Sequence, residues 1–324
     1  MGVKKRGTPV HGWLVLDKPY GMTSTQAVGK IRWLFNAEKA GHGGTLDPLA
    51  TGLLPIALGE ATKTVAYAMD GRKVYRFTAA WGEERSTDDL EGSVTKRNEN
   101  RPASLEIESI LFRFTGEILQ APPAFSAIKV AGERAYDLAR AGAAPDLAPR
   151  PVTIESLHLV DIPDPDHASF EVVCGKGTYI RSLARDMGRV LGCLGHVSML
   201  RRIAVGPFTE ADMIPLEKLE ELGHNAPGGN AMAGFPAGCE LPADQNSRQQ
   251  YRVLRPLETV LDGIPALALD ERQAQRLRQG QEVLLRGASA PIACDAVLAS
   301  LAGKPVGLCA IERGMLKPKR LFNL

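Results

Sequence analysis

Few residues of this sequence have the type and setting to do chemistry. Asp47 stands before Pro48 in the loop Gly41-His-Gly-Gly-Thr-Leu-Asp-Pro-Leu-Ala-Thr-Gly52, which holds four glycines. A carboxylate there could stabilise or trap developing positive charge, or it could cap its own turn through a side-chain oxygen, the commoner use of an Asp-Pro pair. Ser126-Ala-Ile-Lys129 has the S-x-x-K spacing of a serine acyl enzyme, but the S-D-N and K-T-G motifs that accompany it are missing. Two glycine pairs fail the dinucleotide fingerprint, because Ile180 follows Gly175-Lys-Gly177 and Leu46 follows Gly41-His-Gly43 where a third glycine is needed. No P-loop and no G-x-S-x-G elbow occurs. Cys174, Cys193, Cys239, Cys294 and Cys309 are scattered, and so are the six histidines. Neither a disulfide framework nor a metal site is expected.

The elements that must position Asp47 can be read on either side of it. Trp13-Leu-Val-Leu16 predicts a short strand closed by Asp17-Lys-Pro-Tyr-Gly21. Thr23-Ser-Thr-Gln26 reads as a capping box, and Val28, Ile31, Leu34 and Phe35 continue at helical spacing. The glycine loop precedes a buried run, Leu53-Leu-Pro-Ile-Ala-Leu58. Strands are predicted at Val74–Thr78, Val152–Ile154 and Phe170–Cys174, with an acid-rich loop between Glu83 and Glu91. From Thr178 an amphipathic helix follows, carrying Arg181, Arg185 and Arg189 at four-residue steps. Residues 222–250 read as a surface insertion or linker. Beyond them a short helix at Asp270–Gln279 and strand-like runs at 283–285, 296–299 and 306–311 suggest a small β-barrel unit. Irregular alternation of strands and helices predicts an α+β fold.

The length of the Asp47 motif then changes its weight. Gly41 to Lys63 closely resembles the signature of the pseudouridine synthases, specifically the TruB family of bacterial tRNA pseudouridine-55 synthases. Gly43-Gly44 departs from its commonest form, which has Gly between Thr residues. Asp17-Lys-Pro19 with Gly21-Met22, Lys73-Val-Tyr-Arg-Phe77, Gln120–Arg140 with its P-P-x-x-S-A-x-K, Lys176–Gly188 and Leu200-Arg-Arg202 match further family motifs in order. The resemblance covers about residues 11–210 and accounts for the stray S-x-x-K. The usual T-D-T is replaced by Arg85-Ser-Thr87, and Asp89 aligns with the family's retained aspartate.

The resemblance implies a pseudouridine synthase catalytic fold, with a mixed, largely antiparallel sheet flanked by helices, over residues 1–255. It implies a PUA-like RNA-binding β-barrel over 256–324. It also implies isomerisation of the T-loop uridine of tRNA to pseudouridine after the nucleotide is flipped out, with no cofactor and no metal. Asp47 would be the essential carboxylate, Arg181 its ion-pair partner, and Tyr75 a ring to stack on uracil with a hydroxyl to assist proton transfer. Tyr179 and Leu200 would line the pocket and His42 would fill the vacated stack. Lys18, Asp89, Lys176 and Arg202 complete the expected substrate-binding set.

Bulk composition adds limits rather than a function. The chain has 324 residues, 44% hydrophobic and 23% charged, which excludes a disordered or fibrous protein. Its 39 basic and 37 acidic residues give a net charge of +2, too small to nominate a polyanion partner. Locally, Lys176, Arg181, Arg185, Arg189, Arg201 and Arg202 face only Asp186 between 174 and 206, so this stretch is expected to meet RNA phosphates. Lys4-Lys-Arg6 and Arg313, Lys317, Lys319 and Arg320 form terminal clusters. With no apolar stretch of 18 residues and no leader-like start, a cytoplasmic monomer that acts on tRNA without a membrane or an obligate protein partner is expected. The rival readings are a non-catalytic RNA-binding or RNA-folding protein and, more distantly, an acid-dependent hydrolase.

Overall fold

The computed structural model describes residues 7–126, 128–130, 132–140, 147–224, 252–285 and 291–324. The basic Lys4-Lys-Arg6 tail, Cys239 and nearly all of the expected 222–250 insertion lie outside the described residues.

The first body runs β1 (Gly12–Lys18), α1 (Ser24–Leu34), β2 (Ala40–His42), β3 (Thr51–Leu58), α2 (Val65–Asp70), β4 (Lys73–Trp81), β5 (Glu83–Arg85) and β6 (Val94–Arg97). It continues with α3 (Ser104–Ile110), β7 (Gly116–Gln120), β8 (Lys129–Val130), β9 (Glu133–Arg134), α4 (Ala135–Arg140), β10 (Arg150–Asp164) and β11 (His167–Cys174). α5 (Ile180–Val190), β12 (Gly195–Val205), β13 (Phe208–Thr209), β14 (Ile214–Pro215) and α6 (Leu216–His224) close it. Its ten-stranded sheet has the order β14-β1-β3-β12-β4-β11-β10-β7, with β2 paired to β3 and β13 to β12. Within this sheet only the β1–β14 and β12–β3 pairings are parallel, so the α+β fold with a mixed, largely antiparallel sheet is what the chain adopts.

β1 shows why a strand forms here. Successive side chains leave a strand on opposite faces, and both faces of this one are covered. Leu14 and Leu16 pack with Ala27 and Ile31 of α1 and with Leu216 and Leu219 of α6. Trp13 and Val15 point the other way, onto Phe208, Leu257 and Leu261. The expected capping box is present, with Thr23 accepting from Gln26 N and the Gln26 side chain accepting from Thr23 N. At the other end of the sheet, Phe77 of β4 and Phe170 of β11 stack at 5.1 Å, and Leu183, Ala184 and Met187 of α5 cover them. Burial pushes the Cys174 and Cys193 thiols up to about 11, and the four described cysteines are free.

The run 53–58 is a strand despite Pro55, and Gly52 at its start has to be glycine. Its φ is +96°, and a Cβ would lie 2.3 Å from the Arg202 carbonyl oxygen, because β3 runs directly against β12 there. That close approach brings the Asp47 loop alongside the strand carrying Leu200.

The second sheet is β15 (Ala266–Leu269), β16 (Val283–Leu284), β17 (Ala293–Leu301), β18 (Lys304–Glu312) and β19 (Met315–Leu321), in the order β15-β17-β18-β19-β16. α7 (Glu271–Arg278) covers it with Ala274 and Leu277. This small curled sheet fits the expected PUA-like unit. It docks on the first body through Leu308 and Phe322, which join the Trp13 cluster, and through Lys63 Nζ donating to the Leu321 carbonyl at 2.7 Å. The turn at Leu257–Leu261 also packs on Trp13, and the Arg255 amide donates to the Trp13 carbonyl at 2.7 Å.

Candidate active site

Asp47 lies on the loop between β2 and β3, and neighbouring elements fix that loop from four sides. Ser24, at the start of α1, accepts from Leu46 N at 2.8 Å and donates back to Leu46 O at 2.9 Å. The amide of Gly21 donates to Pro48 O at 2.9 Å. Lys18, at the end of β1, is fully buried and donates to the carbonyls of Pro19, Met22 and Pro48 at 2.9, 2.7 and 3.2 Å. Arg202, also fully buried, donates to Gly44, Thr45 and Leu53 carbonyls at 3.0, 3.3 and 2.8 Å. Buried carbonyls need such donors, and two cations supplying them make this loop rigid.

The pocket is lined by Asp47, Leu49, Ala50, Asp89, Arg181, Val197, Ser198 and Leu200. The Asp47 side chain keeps 37% of its surface open, while that of Arg181 keeps 7%. Arg181 Nε lies 2.8 Å from Asp47 Oδ2, although its N–H is not aimed along a hydrogen bond. The contact is a charge pair, and direction is supplied elsewhere. Arg181 donates from its two terminal nitrogens to Thr87 O at 2.9 Å and Phe125 O at 3.1 Å. Asp89 Oδ2 is 3.7 Å from the same Nε, and its Oδ1 accepts from the Thr87 hydroxyl and the Glu91 amide.

Tyr75 of β4 is half-buried where the two main core clusters meet, as is Leu200. Burial raises the Tyr75 phenol pKa against the opposing pull of the Arg202 cation, so its hydroxyl stays protonated at neutral pH. Tyr179 caps α5, its amide donating to Gln120 Oε1 at 2.8 Å, and burial raises its phenol too. His42 ends β2, with a buried Nδ1 that has no hydrogen-bond partner among the described residues. Burial, and then the Arg202 cation, lower its pKa, so the ring is neutral at pH 7. Neither tyrosine nor His42 lines the pocket itself.

Two expectations need correction. Lys18 and Arg202 hold backbone carbonyls beneath the loop rather than facing a substrate, because both are shut away from solvent. Lys176 lies on the surface outside the pocket, paired with Asp70 at 2.8 Å. The basic stretch 174–206 is not a free phosphate-binding surface. Arg185 meets Asp88 and Asp186, Arg189 meets Glu84, and Arg201 meets Asp17 through both terminal nitrogens at 3.0 Å. Acids distant in sequence fold back onto these cations, which charge counting along the chain cannot show. The departure at Arg85-Ser86 lies in the β5–β6 hairpin, where Arg85 pairs with Glu83 and donates to Gly92 O.

Sequence reasoning also missed Ser24 and Asp88. Ser24 was legible only as a helix-start residue, and its clamp on Leu46 spans 22 residues. Asp88 has a left-handed φ of +61°. Burial pushes its carboxyl up to about 6, opposed by the cations of Arg185 and Arg181.

Burying Lys18 has a measurable consequence. Desolvation lowers its ammonium from 10.5 to about 8, although the negative charge of Asp47 works the other way. Between those values the unfolded chain holds a proton that the folded chain has released. Stability therefore rises with pH through this window, by up to about 3 kcal/mol from this group, and is flat below it. Urea unfolding at pH 7.5 and pH 10 should show the wild type gaining relative to Lys18→Met. Parallel pH dependence of the two proteins would refute it.

Residues 32–180 match the model of the TruB family pseudouridylate synthase N-terminal domain. Residues 181–262 match the tRNA pseudouridylate synthase B C-terminal domain, and 265–322 a pseudouridine synthase II TruB C-terminal model. The tRNA pseudouridine synthase B of Bradyrhizobium diazoefficiens is 56% identical over 322 residues, covering 99% of this chain and 88% of that one. That of Brucella melitensis is 54% identical over 328 residues, covering 99% and 98%. Among solved structures, a Cbf5-Nop10-Gar1 complex matches with a TM-score of 0.70 and 24% identity over 100% of this chain and 91% of that one. The archaeal box H/ACA sRNP Nop10-Cbf5 complex matches with 0.70 and 22%, over 100% and 93%. These two likenesses bear on the fold. With relatives above half identity across nearly the whole chain, matching models that meet at the start of α5 and the signature aspartate in the pocket, the chain belongs to the TruB family of pseudouridylate synthases.

Proposed function

We propose that this enzyme isomerises the T-loop uridine of tRNA, position 55, to pseudouridine, as a single chain without a cofactor. The observation that carries the reading is the Asp47 carboxylate, half-open to the pocket and paired at 2.8 Å with the buried Arg181. The reaction breaks the N1–C1′ bond, turns the uracil, joins C5 to C1′ and releases the C5 proton, with no net redox change. Bond breaking develops positive charge at C1′, which a fixed carboxylate stabilises or traps, as in glycoside hydrolysis. Leu200 and Leu49 give the pocket apolar walls against a base. Tyr75, held as a phenol, offers an apolar ring and a proton donor beside it.

A uridine stacked inside a T-loop has to be extruded before it reaches Asp47. The neutral His42 ring, on the strand that leads into the catalytic loop, suits the role of filling the vacated stack. Residues 1–255 form the catalytic part of this proposal, and 256–324 hold RNA outside the pocket. The enzyme acts on free tRNA as a cytoplasmic monomer in this reading; no helix among the described residues is long and apolar enough to cross a membrane.

The test is tritium release from a T-stem-loop transcript carrying uridine labelled at C5. Release of one equivalent per transcript, lost when that single uridine is replaced by cytidine, supports the reading. Tight binding of the transcript with no release would favour the RNA-binding rival.

A further inference from the structure

α5 sends three arginines into one stretch of chain. Arg181 faces Asp89, Arg185 faces Asp88 at 2.8 Å, and Arg189 faces Glu84 at 2.5 Å. Arg181 is itself held by carbonyls of two segments, Thr87 on one and Phe125 on the other. Neither segment is helix or strand where it touches Arg181, so each is placed by its ties. Arg185, one turn along α5, reaches the same two segments, donating to Asp88 Oδ2 at 2.8 Å and to Ala121 O at 2.9 Å. Its side chain is 9% exposed, and Asp186 takes its Nε at 2.8 Å. Val197 N grips Asp88 O, and the Ser182 hydroxyl grips Ala121 O, each tying one segment. Among these ties only Arg181 and Arg185 span both.

Resting on the assignment of Asp47 and Arg181 to the reaction, we propose that Arg185 is a positioning residue for it: with Asp88 it locks together the two segments whose carbonyls hold Arg181 against Asp47. A fork of donors suits the task, because one planar guanidinium satisfies a carboxylate and a carbonyl from different segments in a fixed relation. Arg185 does not touch the pocket, so its effect travels through Arg181. Loss of the lock lets the Thr87 and Phe125 carbonyls drift, and a misplacement near 1 Å at a catalytic pair costs about 10²-fold in rate.

The variants are Arg185→Gln and Asp88→Asn, each alone, with Arg185→Gln also in an Arg181→Met background. Asparagine tolerates the left-handed backbone at position 88, so Asp88→Asn removes charge without new strain and carries the test if Arg185→Gln does not fold. Single-turnover tritium release is read beside the dissociation constant for the transcript and the melting temperature. Arg185→Gln should slow release by about 10- to 100-fold and Asp88→Asn by about 3- to 10-fold, with the dissociation constant within about threefold of wild type. In the Arg181→Met background Arg185→Gln should add less than about threefold, since there is no longer an arginine to position.

A general loss of structure would multiply through in that background, and that outcome overturns the proposal. So do wild-type rates in both single variants, or a loss confined to RNA affinity. Asp47→Asn serves as the reference. If it stayed active, the site assignment and this proposal would fall together, whereas an inactive Asp47→Asn beside a full-rate Arg185→Gln removes this proposal alone.

Discussion

Asp47→Asn should bind the T-stem-loop as the wild type does and leave it unmodified, with single-turnover tritium release down by at least about 10⁴-fold, or about 5 kcal/mol of lost transition-state stabilisation. The amide has the size of the carboxylate but no negative charge, so it can neither balance charge at C1′ nor form a bond to it. The backbone of the loop should not move, because it is held by Ser24 on Leu46, Lys18 on Pro48 and Arg202 on Gly44 and Thr45, none of which touches the Asp47 carboxylate. Arg181 keeps its two carbonyls and Asp89, so the stability cost should stay near about 1 kcal/mol. RNA affinity should hold or rise slightly, since an anion near the phosphate backbone has been removed. A variant that releases tritium within tenfold of the wild-type rate would show that another group carries the chemistry.

What the sequence reveals of this site follows from how local each interaction is. Asp47 is legible because the loop that holds it is one unbroken motif, ending in a glycine where β3 must pass against β12. α1 is legible through Thr23 and Gln26, which cap it three residues apart. The braces beneath the loop are not legible, since Lys18 reaches Pro48 across 30 residues and Arg202 reaches Gly44 across 158. Type misleads as well as distance. Six cations between 174 and 206 read as a surface for phosphates, yet Arg185 meets an aspartate 97 residues earlier and Arg189 a glutamate 105 residues earlier. An arginine at each turn of a helix looks the same whether it faces water or a buried acid. β19 is hidden for a similar reason, because Met-Leu-Lys-Pro-Lys-Arg-Leu has a proline and three cations and becomes a strand only by pairing with β18 and β16.

The other large effect is expected at Arg181, and two substitutions separate its roles. Arg181→Met should lower the single-turnover rate by about 10³-fold or more, because Asp47 loses its partner and is left facing Asp89 with no cation between them. It should also cost about 2 to 4 kcal/mol of stability, since the carbonyls of Thr87 and Phe125 and two acids lose a buried donor at once. Arg181→Lys keeps the charge but has a single ammonium, which cannot reach Asp47, Thr87 and Phe125 together, because the guanidinium meets them through three different nitrogens. Its rate should fall by about 10²-fold, with roughly half the loss of stability. If charge alone mattered, lysine would restore near wild-type turnover; if the arginine only stabilised the fold, both variants would turn over normally once folded at low temperature. Tritium release at 15 °C, beside melting curves for both proteins, separates these outcomes. Arg181→Met within tenfold of the wild-type rate would mean that Asp47 works without an ion pair, and that the lattice of α5 arginines exists for stability alone.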